Sequence, residues 1–239
     1  MFRQPSVGRV KTGMRPKTLD HVALWVADRD RITEFLTDRL SMHVIEKTDK
    51  FTLVGTNARR GKLTLFAEEG PRERGALRHV ALRVTDLESA LSGLDGVDVE
   101  REDGSAYFDV YEGLRLGIVE GETDVEYDLD HVALFSENPE ATAKKYSDFG
   151  FAPEDETRVE VGGAFVEFHQ GEPGDPERPL LNHLAVLVGS AEEHISEARE
   201  LGIEIDNIVD APNTYAVFVW GPDGIKLEYV EHKPTFSLV

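Results

Sequence analysis

The hexapeptide LDHVAL occurs twice, at residues 19–24 and 129–134, and no other feature constrains the fold as much. A chance repeat of six residues is improbable, so a duplicated structural unit is the first inference. Relaxed copies raise the count to four: LDHVALWV from Leu19, LRHVALRV from Leu77, LDHVALFS from Leu129 and LNHLAVLV from Leu181. Their histidines, His21, His79, His131 and His183, are separated by 58, 52 and 52 residues. Each copy is an aliphatic, β-branched run too short for a helix and reads as a buried strand.

A helix candidate follows each strand. DRDRITEFLTDRL, DLESALSGL, NPEATAKKYSDFG and SAEEHISEARELG all begin with Asp, Asn or Ser at a helix-capping position, and two end in Gly. Short apolar strands come next, such as KFTLVGT and GKLTLFAE, YFDVYEG and LRLGIVE, RVEVGG and AFVEFHQ, and YAVFVWG and IKLEYVE. The unit is a strand, a helix and further strands, and four units fill Leu19 to about His232. The acidic stretch EGETDVEYD, residues 120–128, reads as the boundary between the first pair of units and the second.

Charge and composition exclude several function classes. The chain carries 46 acids against 26 Lys and Arg, a net charge of −20. The first eighteen residues hold Arg3, Arg9, Lys11, Arg15 and Lys17 with no acid, so the remainder carries −25. Such a body repels nucleic acid and anionic membranes, and residues 1–18 read as a basic, disordered tail. There is no cysteine, hence no disulfide, thiolate ligand or cysteine nucleophile. No apolar run resembles a secretory signal or approaches a membrane span. A cytoplasmic location is expected, with a small-molecule substrate, and a homodimer is compatible with the sequence. P-loop, dinucleotide-binding and HExxH motifs are absent.

Four modules that each open on a strand with an early histidine resemble the vicinal oxygen chelate superfamily, which includes glyoxalase I, extradiol dioxygenases and bleomycin-resistance proteins. The closing stretch GPDGIKLEYVE is similar to that family's final strand, and the resemblance covers nearly everything after Thr18. It implies an α+β fold of four βαβββ modules paired into two cupped mixed-sheet domains. The expected domains are 19–122, without metal, and 123–239, holding one divalent ion on residues of the first and last strands of its modules.

Alignment within the chain selects the ligands. Matching Gly61 to Gly163 sets Leu65 opposite Glu167, and matching Gly113 to Gly224 sets Gly117 opposite Glu228. The second half therefore offers His131, Glu167, His183 and Glu228, whereas His21 and His79 lack a carboxylate and read as structural. A glutamate inside AFVEF or IKLEYV is costly to bury unless paired or metal-bound. Two imidazoles and two carboxylates suit Zn²⁺, Ni²⁺, Mn²⁺ or Fe²⁺.

Glu167 as a fourth ligand resembles glyoxalase I, which implies a metal-dependent lyase or isomerase with Glu167 or Glu228 as the base. His131, His183 and Glu228 alone match the dioxygenase triad, the alternative reading. Phe218 stands where that family has a tyrosine, and the dioxygenase acid–base histidines have no clear counterpart. A metal-free binding protein of the bleomycin-resistance type is the third reading. Phe165, His169, Phe218, Trp220 and Lys226 alternate in phase with the ligands and are the expected pocket residues, with Arg158 and Tyr215 weaker candidates.

Overall fold

The computed structural model describes residues 14–239. Four βαβββ modules are present. The first comprises β1 (Thr18–Val26), α1 (Arg29–Arg39), β2 (His43–Lys47), β3 (Phe51–Gly55) and β4 (Lys62–Ala67). The second comprises β5 (Leu77–Val84), α2 (Leu87–Leu91), β6 (Val99–Glu102), β7 (Ser105–Asp109) and β8 (Arg115–Glu120). The third comprises β9 (Asp128–Ser136), α3 (Pro139–Tyr146), β10 (Ala152–Pro153), β11 (Arg158–Val161) and β12 (Ala164–Gln170). The fourth comprises β13 (Leu181–Leu187), α4 (Ala191–Leu201), β14 (Ile205–Asp210), β15 (Thr214–Trp220) and β16 (Lys226–His232).

The capping residues act as the sequence implies. Asp28, Asp86, Asn138 and Ser190 each accept a hydrogen bond from a backbone N–H in the first turn of their helix, which satisfies a donor the helix leaves open. Within each module the first and last strands run parallel and side by side, while the remaining strands continue antiparallel to the sheet edge. Among the described residues no helix is long and apolar enough to cross a membrane.

The pairing of modules differs from the sequential order expected. Sheet I has the order β14-β15-β16-β13-β1-β4-β3-β2 and joins the first module to the fourth. Sheet II has the order β10-β11-β12-β9-β5-β8-β7-β6 and joins the second to the third. The seams are antiparallel, β1 against β13 and β5 against β9. The expected division at 122/123 is therefore corrected: residues 121–127 connect two strands of one sheet, whereas 68–76 and 171–180 cross between sheets. The reason is physical. All four opening strands present nearly the same side chains, so any pairing of them buries the same aliphatic surface and the repeat by itself does not select the partner.

The two crossovers brace each other. Glu73 N–H donates to Arg178 O at 2.9 Å and Leu180 N–H donates to Glu73 O at 2.7 Å. The sheets also meet through glycines. A Cβ on Gly61 would lie 2.4 Å from Tyr127 O, and one on Gly162 would lie 1.8 Å from Lys17 O, so neither position accepts a side chain without moving backbone. One large apolar core runs through both sheets, and Ala185, Ala216 and Val230 form a small separate cluster against Phe218.

Residues 1–13 of the expected disordered tail lie outside the described residues. Residues 14–18 are corrected to ordered: Met14 is buried, the Arg15 N–H donates to His194 Nε2 at 3.2 Å, and Lys17 N–H donates to Leu187 O at 2.7 Å.

Because the chain has no cysteine, paired substitutions report the seam directly. Thr18 and Leu187 are Cα partners across β1 and β13, at a separation that suits a disulfide. Thr18→Cys with Leu187→Cys should oxidise to an internally cross-linked monomer on a non-reducing gel. Thr18→Cys with Arg83→Cys, at the matching position of β5, should not. The reverse pattern would restore sequential pairing.

Candidate metal centre

Each opening strand has a one-residue irregularity immediately before its histidine, between Leu19 and His21, Leu77 and His79, Leu129 and His131, and Leu181 and His183. In a regular strand neighbouring side chains project to opposite faces; a bulge re-aims them. Here it lets the preceding residue hold the imidazole. His21 Nδ1 donates to Asp20 Oδ1 at 2.7 Å, His131 Nδ1 to Asp130 Oδ1 at 2.7 Å, and His183 Nδ1 to Asn182 Oδ1 at 3.1 Å.

On sheet I three side chains converge. His21 Nε2 and His183 Nε2 are 3.3 Å apart, and Glu228 Oε2 lies 3.2 Å from the first and 2.9 Å from the second. This His21–His183–Glu228 group is the one set of three potential ligands that closes to within 4.8 Å among the described residues. With both Nδ1 atoms committed outward, the inward atoms are those a cation would use, the arrangement by which outer partners orient metal-ligating histidines. The donor chemistry fits a divalent ion. Thr64 takes the fourth corner: β4 pairs it with Ala23 as β16 pairs Glu228 with Ala185, and its buried hydroxyl has no hydrogen-bond partner.

Electrostatics make the cluster a tight ion pair without a cation. Burial would lower the pKa of His21, but Glu228 and Asp20 outweigh it and raise it to about 9. Burial would raise Glu228, yet His21 and His183 hold it at about 2. His183 is pushed down, chiefly by burial. Behind the site, Asp20 is fully buried, which opposes its ionisation, but Lys62 at 2.8 Å, His21 and His232 at 2.8 Å keep it well below the usual carboxylate range. Phe218 and Phe66 set their rings 5.1 and 6.3 Å from that of His183, and Phe66 packs on Trp25 and Phe51.

Sheet II places a related but different cluster. His79 Nε2 and His131 Nε2 are 2.9 Å apart, and Glu167 Oε2 is 3.8 Å from His131 Nε2. Glu167 also faces Arg158 Nε at 3.3 Å and His169 Nε2 at 3.5 Å. The counterpart of Glu228 is Gly117, and a Cβ there would lie 2.6 Å from the Tyr107 ring, which fills that corner.

The expected quartet is thus corrected. His183 and Glu228 come together on sheet I, whereas His131 and Glu167 come together on sheet II, because the modules pair first with fourth and second with third. His21, expected to be structural, joins the sheet I centre. Thr64, not Leu65, is the counterpart of Glu167: the glycine alignment slipped by one residue, which exchanges the faces of a strand. The pocket residues divide likewise, Phe165 and His169 beside Glu167, and Phe218 beside Glu228. Lys226 pairs with Asp206 at 2.8 Å and lies over the exposed Trp220 ring. Counting two residues on from each histidine to its parallel partner would have found Thr64; nothing local in the sequence marks Phe66.

A scan against family models matches residues 18–113 and 128–229 to the Glyoxalase/Bleomycin resistance protein/Dioxygenase superfamily. The chain belongs to that superfamily. Among solved structures, a putative dioxygenase from Bacillus subtilis subsp. subtilis str. 168 is similar with a TM-score of 0.76 at 18% identity, over 93% of this chain and 87% of that one. Glyoxalase I from Zea mays is similar with a TM-score of 0.69 at 16% identity, over 90% and 92%. The cppA protein from Streptococcus pneumoniae TIGR4 is similar with a TM-score of 0.61 at 14% identity, over 91% and 98%. Among curated proteins none matches the chain.

Two outcomes follow. Asp20→Ala strips the buried Lys62 of its carboxylate partner and should cost about 3–5 kcal/mol in urea denaturation; a cost near zero would show that the network is not coupled to folding. The pKa of His21 is higher in the folded protein than its ordinary 6.5. Its contribution is therefore complete below pH 6.5 and is lost as pH rises toward 9. Metal-free protein should lose up to about 3 kcal/mol across that window, and His21→Gln should flatten the loss.

Proposed function

We propose that the chain is a mononuclear metal enzyme, with a divalent ion on His21, His183 and Glu228, that cleaves a catechol-type ring by extradiol dioxygenation. The observation that carries this reading is the three-ligand set closed by Thr64 where a fourth carboxylate would sit. Two histidines and one carboxylate with positions left open favour non-haem Fe(II) oxygenase chemistry. The lyase or isomerase reading drew on Glu167 as a fourth ligand, and Glu167 belongs to the other sheet.

When bound, the ion would supply Lewis acidity to two adjacent oxygens of a small substrate. The remaining roles fall to the chain. Glu228 stays ionised and supplies the charge that holds a cation. Asp20 and Asn182 keep the Nδ1 protons of His21 and His183 turned outward, so both Nε2 atoms face the centre. Phe66 and Phe218 wall the site with apolar rings that exclude water and suit a flat aromatic substrate.

A second reading is a glyoxalase-I-like proton shuttle on the same ion, supported by the nearby His232 being turned to Asp20 behind the centre rather than toward the inward nitrogens. Glu228 would then be the base. Zn²⁺, Ni²⁺ or Mn²⁺ would serve that chemistry as readily as Fe²⁺.

Metal analysis with oxygen uptake tests both. Purified protein should hold about one ion per chain, lost in His183→Ala and Glu228→Gln and kept in Glu167→Gln, and the Fe(II)-loaded protein should consume oxygen with catechols. An ion retained by Glu228→Gln and lost in Glu167→Gln would overturn the assignment of the centre. Isomerisation of a hemithioacetal without oxygen uptake would establish the second reading. Failure to retain any ion after reconstitution would leave a ligand-binding protein.

A further inference from the structure

The sheet II cluster is unlike the metal centre in charge. The residue before His79 is Arg78, at the bulge position that holds Asp20, Asp130 and Asn182 in the other modules. Its guanidinium donates to His169 Nδ1 at 2.5 Å and has no carboxylate partner among the described residues. His169 Nε2 then turns toward Glu167, whose other oxygen faces Arg158. Glu167 thus serves His131, His169 and Arg158 together, and Arg83 already neutralises Asp130 at 2.7 Å.

The cluster sets two guanidiniums, Arg78 and Arg158, against the one carboxylate of Glu167, in a chain of net charge −20. Burial first, and then the charges of His131, Arg78, His169 and Arg115, depress His79 to about 3. His169 Nε2 and Arg158 Nε are buried without a well-formed hydrogen bond. A cation would meet this surplus, and the corner that supplies a glutamate on sheet I is filled here by the Tyr107 ring.

We infer that the sheet II cluster is an anion receptor that takes a small carboxylate with a flat apolar body. Arg78, which has no carboxylate partner among the described residues, receives the carboxylate, because a planar guanidinium matches its two oxygens, and Arg158, paired with Glu167, adds the second positive charge of the cluster. The body lies among the rings: Arg158 sits 3.6 Å over Phe165, and Tyr107 packs 4.8 Å from His79. The chain then carries two receptors of opposite sign, one for a cation and one for an anion.

Calorimetric titration of the full chain tests this, after metal is removed with the neutral chelator 1,10-phenanthroline so that no ion on sheet I can bind the probe. Benzoate should bind saturably at one per chain and more tightly than acetate or inorganic phosphate. Arg78→Met and Arg158→Met should each weaken it about tenfold or more, Arg78→Lys should weaken it less, and Glu228→Gln should leave it unchanged. Circular dichroism identifies any variant that does not fold, and benzoate-induced shifts of imidazole NMR signals that persist in Glu228→Gln provide a second readout in a protein with both arginines intact. Absence of saturable binding by wild-type protein, binding indifferent to both arginines, or loss of the imidazole shifts in Glu228→Gln would overturn the proposal. Tighter binding of phosphate than benzoate would overturn the assignment of a flat carboxylate. Uptake of a second divalent ion that His131→Ala abolishes would overturn the anion receptor itself.

Discussion

The antiparallel seam between opening strands is the contact on which both sites depend. Neither βαβββ module holds a complete centre: the first supplies His21 and Thr64, the fourth His183 and Glu228, and only the β1–β13 seam brings them within reach. The bulge in each opening strand adds the second requirement. By turning the residue before the histidine to the same side, it gives His21, His131 and His183 a fixed partner and leaves their other nitrogen at the seam, whereas Arg78 turns to His169 instead of His79. A seam without bulges would align the histidines but leave their rings unheld.

Much of this was legible in the sequence, and what was not has a definite cause. The capping residues and the fourfold strand–helix pattern marked every module, since these signals are local. The histidines were found because they recur in phase. Their partners were misassigned, because LDHVAL in the first module and LDHVAL in the third are interchangeable as surfaces, and the identity that reveals the repeat conceals which copy pairs with which. Thr64 was missed through a different weakness. Glycines near Gly61 and Gly163 were used as anchors, yet the loops that hold them differ by one residue, and one residue is the difference between the face of Thr64 and that of Leu65.

The two sheets also show how one scaffold yields unlike sites. The four histidines are constant while two other positions vary. The bulge residue is Asp20, Arg78, Asp130 or Asn182, and the last-strand residue is Thr64, Gly117, Glu167 or Glu228. On sheet I these choices leave Glu228 facing two histidines with Asp20 behind them. On sheet II they place Arg78 in the cluster and replace a glutamate with the room for Tyr107 that Gly117 provides. Function in such a fold is written in a few positions around a fixed frame.

The nested order of the modules has a consequence for how the chain matures. Sheet II is built from the uninterrupted stretch 77–170, so its strands find partners close in sequence, whereas sheet I joins residues 18–67 to 181–232 around it. Closing that larger loop is entropically costlier and slower. During synthesis the inner sheet is available to fold while β1 still waits with an open edge for a strand the ribosome has not yet made. His183 and Glu228 arrive with that last module, so the His21–His183–Glu228 cluster is completed only when the chain is nearly all made.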